Sequence, residues 1–301
     1  MRSRLLLSVV ALIASVGLMP PSAQAVTNGQ YDGANHPYVA YLDNFVFSCS
    51  GALLSPTVML TAAHCFSDST SAFGTNTVTG APLVRVSFQP DNLPGPQEVY
   101  YVGSYYFDPQ FARGANGGVP GFDTHDVAVV IFTQQGCTVP TSQIGVTPVA
   151  NYSCGPVPAD ATNGKYASLP SQGLVDTLAM GTNIDLVGYG VQNFINGGGP
   201  CAVDCKKQPG DAYTRFFAPT TLIASKNSIS GEFIKLHSNM GGVCFGDSGG
   251  PDLLGGTNVV IGVNSFVANA ICSGNTYSYR TDTTQALTFI TTAVQKYGGN
   301  L

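Results

Sequence analysis

The 301-residue chain has little charge. Only 10% of its residues are Asp, Glu, Lys or Arg, and 17 acidic residues outnumber 12 basic ones. It has no run of basic residues, although nucleic acids and anionic membranes are bound through clusters of Lys and Arg. Both are therefore poor candidates as partners. The chain also lacks a repeat with a period of roughly 20 to 50 residues, and no long linker divides it.

Long hydrophobic runs are scarce as well, because the only long one spans residues 5–19. Arg2 and Arg4 precede this run and supply positive charge, and Ala23-Gln24-Ala25 follows it. This pattern predicts a secretion signal over residues 1–25, cleaved after Ala25. The alternative is a membrane anchor, but the run is shorter than the roughly 20 residues of a spanning helix, and no second span follows. We therefore expect a secreted, extracellular protein that leaves the membrane after signal cleavage.

All eight cysteines follow the predicted signal. They are Cys49, Cys65, Cys137, Cys154, Cys201, Cys205, Cys244 and Cys272. An exported chain meets an oxidising environment, so four disulfides are expected. Spacing alone leaves the connectivity open, although proximity favours Cys137 with Cys154 and Cys201 with Cys205. No histidine lies near Cys201 and Cys205 in the sequence, which argues against a metal site there.

Glycine (36) and proline (19) are frequent, and they separate short apolar, β-branched or aromatic runs. Examples are residues 58–61, 83–88 and 259–266. This pattern of short runs separated by glycine and proline predicts an all-β sandwich or barrel protein. The most glycine-rich segments, residues 114–121 and 193–210, are expected to be surface loops.

One helix is predicted near the end of the chain. Asp282 is expected to cap it, with Gln285 three residues later as a capping box requires, and Gly298 follows it. Its apolar stripe is formed by Ala286, Phe289, Ile290, Ala293 and Val294. We expect this stripe to pack on the second half of the protein.

Three separated segments carry residue types suited to acyl transfer. Ser248 stands among glycines in Gly-Asp-Ser-Gly-Gly-Pro (246–251), where a tight turn can expose its hydroxyl. His64 stands in Thr-Ala-Ala-His-Cys (61–65), and Asp126 directly precedes the apolar run 127–132. Acyl transfer at neutral pH needs an activated hydroxyl, a base held in the right tautomer, and donors for the developing oxyanion. These segments can supply all of them.

The order of these residues discriminates between enzyme families. An α/β-hydrolase places its histidine after the serine, but the last histidine here, His237, precedes Ser248. A subtilisin-like order would need an aspartate before the histidine, and Asp32 or Asp43 could serve, but the surroundings of the serine do not resemble that family. The order His, Asp, Ser and the three motifs resemble the trypsin-like (chymotrypsin-fold) secreted serine proteases.

The resemblance implies two antiparallel, six-stranded Greek-key β-barrels packed perpendicular to each other, with a C-terminal α-helix. The first barrel would take residues 26–155, the second barrel and helix residues 156–301, and the catalytic cleft would lie between them. The resemblance also implies disulfides between Cys49 and Cys65 and between Cys244 and Cys272. Gly188-Tyr189-Gly190 stands where the family usually has Gly-Trp-Gly, and the chain has no tryptophan.

The resemblance assigns catalytic roles to the three motifs. Ser248 would be the nucleophile, His64 the general base and then acid, and Asp126 the carboxylate that orients it. The backbone N–H groups of Gly246 and Ser248 would form the oxyanion hole. Asp123 precedes the same apolar run as Asp126, but Asp126 abuts it directly, as the aspartate of the family does.

Two further expectations concern activation and specificity. Cleavage after Ala25 would expose Val26, whose ammonium would pair with Asp247. Gly242, six positions before Ser248, would form the floor of the specificity pocket and offer no charge.

The strand Ser265-Phe266-Val267 would form one wall of that pocket, where Val267 in place of glycine would narrow the entrance. Small or medium apolar residues are therefore expected before the scissile bond. Ser265 also matches a serine that supports the buried aspartate in the family, although it could be a plain strand residue.

The sequence thus predicts a secreted serine endopeptidase that acts on proteins or peptides as a monomer, without cofactor or metal. Two alternatives remain open: a secreted non-proteolytic binding protein on the same fold, and a secreted esterase that uses the same triad.

Overall fold

The computed structural model describes residues 26, 29–67, 73–91, 98–113, 124–139, 151–190, 213–226, 230–238, 242–267, 272 and 274–301. These residues form two closed six-stranded antiparallel β-barrels and one C-terminal α-helix. The predicted all-β fold class is confirmed. No helix within these ranges is long and apolar enough to cross a membrane. The predicted signal, the two glycine-rich segments, Asp123, Cys201 and Cys205 lie outside the described residues.

The first barrel is built from strands in the first half of the chain. They are β2 (Val39–Asp43), β3 (Ser48–Ser55), β4 (Val58–Thr61), β5 (Leu83–Ser87), β6 (Val99–Phe107), β7 (Ala128–Ile131) and β8 (Asn151–Cys154). Strand β5 pairs with both β2 and β6, which closes the ring β2-β3-β4-β7-β6-β5, and β8 adds to β6 in parallel. The runs predicted as strands at 58–61 and 83–88 are β4 and β5, and the run at 127–132 contains β7.

The second barrel takes strands mainly from the second half. They are β9 (Asn183–Gly188), β10 (Phe216–Ala224), β11 (Phe233–His237), β12 (Pro251–Leu254), β13 (Val260–Val267) and β14 (Asn275–Arg280). Strand β9 pairs with both β10 and β12, which closes this ring. The short first strand β1 (Gln30–Tyr31) pairs with β10. The segment that precedes the first barrel in the chain is therefore attached to the second.

The predicted helix is α1 (Thr284–Tyr297), but its cap differs from the prediction. The cap is Thr283, whose Oγ1 accepts a hydrogen bond from the N–H of Ala286 at 3.1 Å, and Gly298 at φ +80° ends the helix. Asp282 cannot cap because its carboxylate accepts from Arg280 at 2.9 Å and from the N–H of Val175 at 2.8 Å. The predicted capping box at Asp282 is wrong for this reason.

The helix contacts β7 of the first barrel. Tyr297 stacks on Tyr106 of β6 with ring centroids 3.6 Å apart, and the N–H of Asn300 donates to Thr57 Oγ1 at 2.8 Å. The predicted packing on the second barrel is therefore wrong. An apolar stripe looks the same whichever barrel it covers, so its periodicity could not identify the barrel.

Three disulfides lie within the described residues. They join Cys49 to Cys65, Cys137 to Cys154 and Cys244 to Cys272, the pairs expected from the resemblance and from proximity. The first pair is separated by 16 residues and closes a loop that contains His64. Such a loop closure stabilises the fold by about 3 kcal/mol in the chain-entropy model.

Candidate active site

His64 lies in a short 3-10 turn, Ala63–Cys65, directly after β4. The disulfide from Cys65 to Cys49 holds one side of this turn. On the other side, the buried hydroxyl of Tyr105 lies 2.7 and 2.8 Å from the carbonyl oxygens of Ala62 and Ala63 and donates to them. The histidine is thus held by one covalent link and by one buried side chain of β6.

Asp126 lies immediately before β7, which pairs antiparallel with β4. Thr61 is opposite Ala128 in this pair, so the residues after β4 and those before β7 meet at the same end of the barrel. There, Oδ2 of Asp126 lies 2.8 Å from Nδ1 of His64, and Oδ1 accepts from the backbone N–H of His64 at 2.8 Å. This contact fixes both the ring and the backbone of the histidine.

The second barrel adds Ser265 to this pair. Its hydroxyl, from β13, donates to Oδ2 of Asp126. Burial alone would raise the pKa of the fully buried Asp126, but the charge and hydrogen bonds of His64 and the Ser265 hydroxyl hold the pKa of this carboxyl below its usual value. The carboxylate is therefore charged at neutral pH and can orient His64. Of the two roles considered for Ser265, the structure supports contact with the aspartate.

Ser248 lies on a tight turn before β12. Gly249 follows it at φ +78°, and a Cβ at this position would lie 2.1 Å from Oγ1 of Thr61 and 2.5 Å from the carbonyl oxygen of Ser50. Only glycine fits there. The N–H of Ser50 donates to the carbonyl of Ser248 at 2.8 Å, which ties the turn to β3.

His64 and Ser248 line one cavity of about 680 Å³. The other lining residues are Val46, Phe47, Ser48, Cys49, Cys65, Arg113, Phe245 and Gly246. Within the described residues, the Ser248 hydroxyl forms no hydrogen bond. Catalytic hydrogen bonds are often long in ligand-free proteins and tighten around a substrate. The cavity thus brings two members of the predicted triad together, and Asp126 lies buried behind His64.

Ser50 orients the backbone around Ser248, a role that the sequence does not predict. Its hydroxyl donates to the carbonyl of Gly246 at 2.8 Å and accepts from the N–H of Tyr189 at 2.9 Å. The carbonyls of Gly246 and Ser248 are thus both bound to Ser50, and among the described residues their N–H groups have no acceptor. The only sequence signal for Ser50 is its position beside Cys49.

Asp247 is a fully buried carboxylate beneath the turn that carries Ser248. Its two oxygens accept from the N–H groups of Gly190 at 2.8 Å and Cys244 at 2.9 Å. A Cβ at Gly188 or Gly190 would lie within 2.2 or 2.5 Å of this carboxyl group, which explains both glycines around Tyr189. Burial raises the pKa of Asp247 to about 7, against the opposing effect of the two N–H donors.

Within the described residues, no ion pair or hydrogen bond joins Val26 to Asp247. The side chain of Val26 is fully buried in the core of the second barrel, in the same apolar cluster as Val243. Because residue 25 precedes it in this chain, its nitrogen is an amide rather than an ammonium.

The residues predicted for the specificity pocket lie in different surroundings. A Cβ at Gly242 would lie 2.6 Å from Cβ of Ser238, whose hydroxyl is 2.6 Å from Oγ1 of Thr276. Phe266 stacks on the ring of Tyr277, with centroids 4.7 Å apart. Val267 packs against the apolar cluster that contains Val26 and Val243. The hydroxyl groups of Ser238 and Thr276 therefore lie beside the predicted floor.

Cys49, Cys65 and His64 bring potential metal-ligand atoms within 4.8 Å of one another. The two sulfur atoms are joined in a disulfide, so neither is available as a thiolate ligand. This cluster does not fit a metal ion.

Many solved structures are similar to this chain. A scabies mite inactivated protease paralogue has a TM-score of 0.58 and 17% identity, with 89% of this chain and 99% of that chain covered. Human heparin binding protein has a TM-score of 0.55 and 18% identity, with 91% and 98% covered. HL collagenase has a TM-score of 0.52 and 20% identity, with 91% and 98% covered. At these identities the likeness concerns the fold alone.

A comparison with curated protein sequences found no match. The family model described as Trypsin matches residues 26–130 and 157–290, which include His64, Asp126 and Ser248. On this match and on the two-barrel fold, the chain belongs to the trypsin family, whose members have the chymotrypsin fold.

Proposed function

We propose that this protein is a secreted serine endopeptidase that cleaves peptide bonds through an acyl-enzyme. Ser248 is the nucleophile, His64 the base and then the acid, and Asp126 the group that holds the imidazole. The observation that carries the proposal is the hydrogen-bonded set of Ser265, Asp126 and His64 behind a cavity that Ser248 shares. The N–H groups of Gly246 and Ser248 would bind the oxyanion.

The experiment is active-site labelling by a fluorophosphonate, which reacts only with an activated serine. We expect the wild-type protein to be labelled and Ser248→Ala to remain unlabelled. A non-proteolytic binding protein on this fold would not be labelled. Peptide and simple ester substrates of matched acyl groups then distinguish a peptidase from an esterase, since an esterase would hydrolyse only the ester.

We also propose that removal of residues 1–25 during secretion activates the enzyme by creating an ammonium on Val26 that pairs with Asp247. Asp247 is buried with a pKa of about 7 and lacks a cationic partner among the described residues, so an added cation would stabilise its charged form. N-terminal sequencing of the exported protein should begin at Val26. Full activity in a protein whose Val26 amine is chemically blocked would contradict the activation step.

The specificity pocket is proposed to be neutral. Gly242 brings no charge to the floor, and the hydroxyl groups of Ser238 and Thr276 lie beside it. Peptide anilides with Ala, Val, Leu, Phe, Lys or Arg before the scissile bond should show fastest cleavage after the small or medium apolar residues. Fast cleavage after Arg would contradict this pocket.

A further inference from the structure

We propose that the cleft selects substrates with a bulky apolar residue on the leaving-group side of the scissile bond, through Val46, Phe47 and Phe245. This inference rests on the proposed peptidase function and adds a substrate class to it. None of the three residues belongs to the triad or to the predicted specificity pocket.

Large apolar side chains are exposed around the catalytic cavity. Val46 is 63% exposed, Phe47 56% and Phe245 50%, and all three line the same cavity as His64 and Ser248. Water-exposed apolar groups gathered at one place mark a surface that binds something apolar. Their position beside the reacting groups indicates that the substrate itself covers them.

The position of the cavity relative to His64 indicates which half of the substrate is bound. The acyl half would enter the pocket above Gly242, and this residue is not among the described lining of the cavity. Phe47 lies two residues before Cys49, whose disulfide holds the turn of His64. Because His64 delivers its proton to the departing amine, a surface on its side of the cleft faces the leaving half of the substrate.

The turn that presents Val46 and Phe47 is held in place before any substrate arrives. Oδ1 of Asn44 accepts from the N–H groups of Val46 at 3.0 Å and Phe47 at 2.9 Å. The N–H of Phe45 donates to Oδ1 of Asp43 at 3.0 Å. Two apolar side chains on a fixed turn bind a partner without the entropic cost of ordering a loop.

Phe45, between these residues, is the support of the turn. It adopts φ +72°, which is unfavourable for a bulky side chain, and persists because neighbours hold it. Its ring stacks on Phe73 with centroids 4.9 Å apart, and the guanidinium of Arg85 lies 4.2 Å from its centroid. Arg85 is in turn bound to Asp43 at 2.7 Å.

A second turn, at Asn76, has the same hydrogen-bond pattern and supplies a matched control. Oδ1 of Asn76 accepts from the N–H groups of Val78 at 2.9 Å and Thr79 at 3.0 Å, as Asn44 does for Val46 and Phe47. Val78 is 61% exposed, close to the value for Val46, but it does not line the catalytic cavity. Val46→Ser and Val78→Ser therefore remove the same exposed group from the same kind of turn.

The experiment uses internally quenched peptides that share one acyl half and differ only in the residue after the scissile bond, either Leu, Phe, Ser or Lys. We expect kcat/KM for Leu and Phe to exceed that for Ser and Lys by about tenfold or more, the range of discrimination an apolar pocket provides. Phe47→Ser and Phe245→Ser should bring this ratio close to one, and Val46→Ser should lower it. Val78→Ser should keep the wild-type ratio.

Each outcome bears on one proposal. Equal cleavage of all four peptides by the wild-type protein overturns the inference and leaves the peptidase function intact. A wild-type preference that Phe47→Ser, Phe245→Ser and Val46→Ser do not reduce, or that Val78→Ser reduces equally, also overturns it. Failure to cleave any peptide, together with absent fluorophosphonate labelling, refutes the proposed function itself.

Discussion

Asp126, beside His64, and Asp252, in β12 of the second barrel, are both fully buried carboxylates with opposite surroundings. Asp126 receives hydrogen bonds from the ring and backbone of His64 and from Ser265, and its pKa lies below the usual value. Both oxygens of Asp252 lack a hydrogen-bond partner within the described residues. Burial raises the pKa of Asp252 to about 7, and the Ser278 side chain opposes this only in part.

The difference shows that burial alone does not determine the charge of a carboxyl group. Burial removes water from both aspartates and disfavours their charged forms, but only Asp126 has donors that replace the water. The charged aspartate lies where the proposed reaction needs a negative group beside an imidazole. Asp252 lies outside the proposed site, and its charged form destabilises the fold at neutral pH.

The largest expected effect comes from removing the charge of Asp126. Asp126→Asn should lower kcat on a peptide substrate by about 10⁴-fold, because an amide would hold His64 in the wrong tautomer. The measurement is steady-state kinetics on protein shown to be folded by urea unfolding. Asp252→Asn is the matched control and should keep its turnover. A decrease in kcat below tenfold in Asp126→Asn would contradict the role of Asp126 in the proposed mechanism.

The next effect concerns stability and pH at Asp252. The folded pKa of Asp252, about 7, lies above its unfolded value. Its contribution to the free energy of unfolding is therefore fully present below pH ~4, where the carboxyl is protonated, and is lost as the pH rises through 7. This loss is on the order of 4 kcal/mol, and Asp252→Asn should abolish it. Urea unfolding at pH 4.5 and pH 8 measures the difference.

A control for this prediction is Asp176→Asn, which changes an exposed carboxyl that pairs with Lys226 and Arg280. The pKa of Asp176 lies below its usual value, chiefly through the Arg280 hydrogen bond, so it stays charged across this pH window. Its removal should leave the difference between pH 4.5 and pH 8 nearly unchanged. If Asp252→Asn and the wild-type protein lose stability in parallel, Asp252 does not titrate as proposed.

The smallest expected effect comes from removing one hydrogen bond to Asp126 while its charge stays. Ser265→Ala deletes a hydrogen bond to a charged group, which contributes about 1.5–3 kcal/mol. Because the pKa of Asp126 is lowered in the fold, its contribution is present above the unfolded pKa and lost as the pH falls through the folded value. Ser265→Ala raises the folded pKa, so acid unfolding should begin at a higher pH. Ser278→Ala, on neighbouring β14, removes a hydroxyl near Asp252, which is already protonated at acid pH, so its acid midpoint should equal that of the wild-type protein. An unshifted midpoint in Ser265→Ala would contradict the role of Ser265.

The fold class and the contact of His64 with Asp126 could be predicted from the sequence, because the His, Asp and Ser motifs resemble those of a family whose fold brings them together. The structure supplies the physical basis, since the run after Asp126 contains β7, which pairs with β4 before His64, and the disulfide of Cys65 links the turn of His64 to β3. The sequence leaves two roles open for Ser265, a plain strand residue or a support of Asp126, and the contact in the fold decides for the second.

Other features depend on contacts between distant segments and could not be predicted. The helix stripe was predicted correctly, but its partner β7 was not, because apolar periodicity does not identify what it packs against. The sequence predicts Asp282 as the cap. This prediction fails because Arg280 and the N–H of Val175 bind its carboxylate, and these contacts exist only in the folded chain. Ser50 and Phe245 flank recognised motifs, but the contact of Ser50 with the turn of Ser248 and the position of Phe245 in the cavity exist only in the folded chain.

The crossing of the chain between barrels has a consequence for its integrity. Strand β1 precedes the first barrel yet pairs with β10, and helix α1 follows the second barrel yet lies on β7. A single backbone cut between β8 and β9 would therefore leave two fragments that each hold an element of the other. Separating them would require breaking the β1–β10 pairing and removing α1 from β7, so the two halves are interlocked even though none of the three disulfides within the described residues joins them.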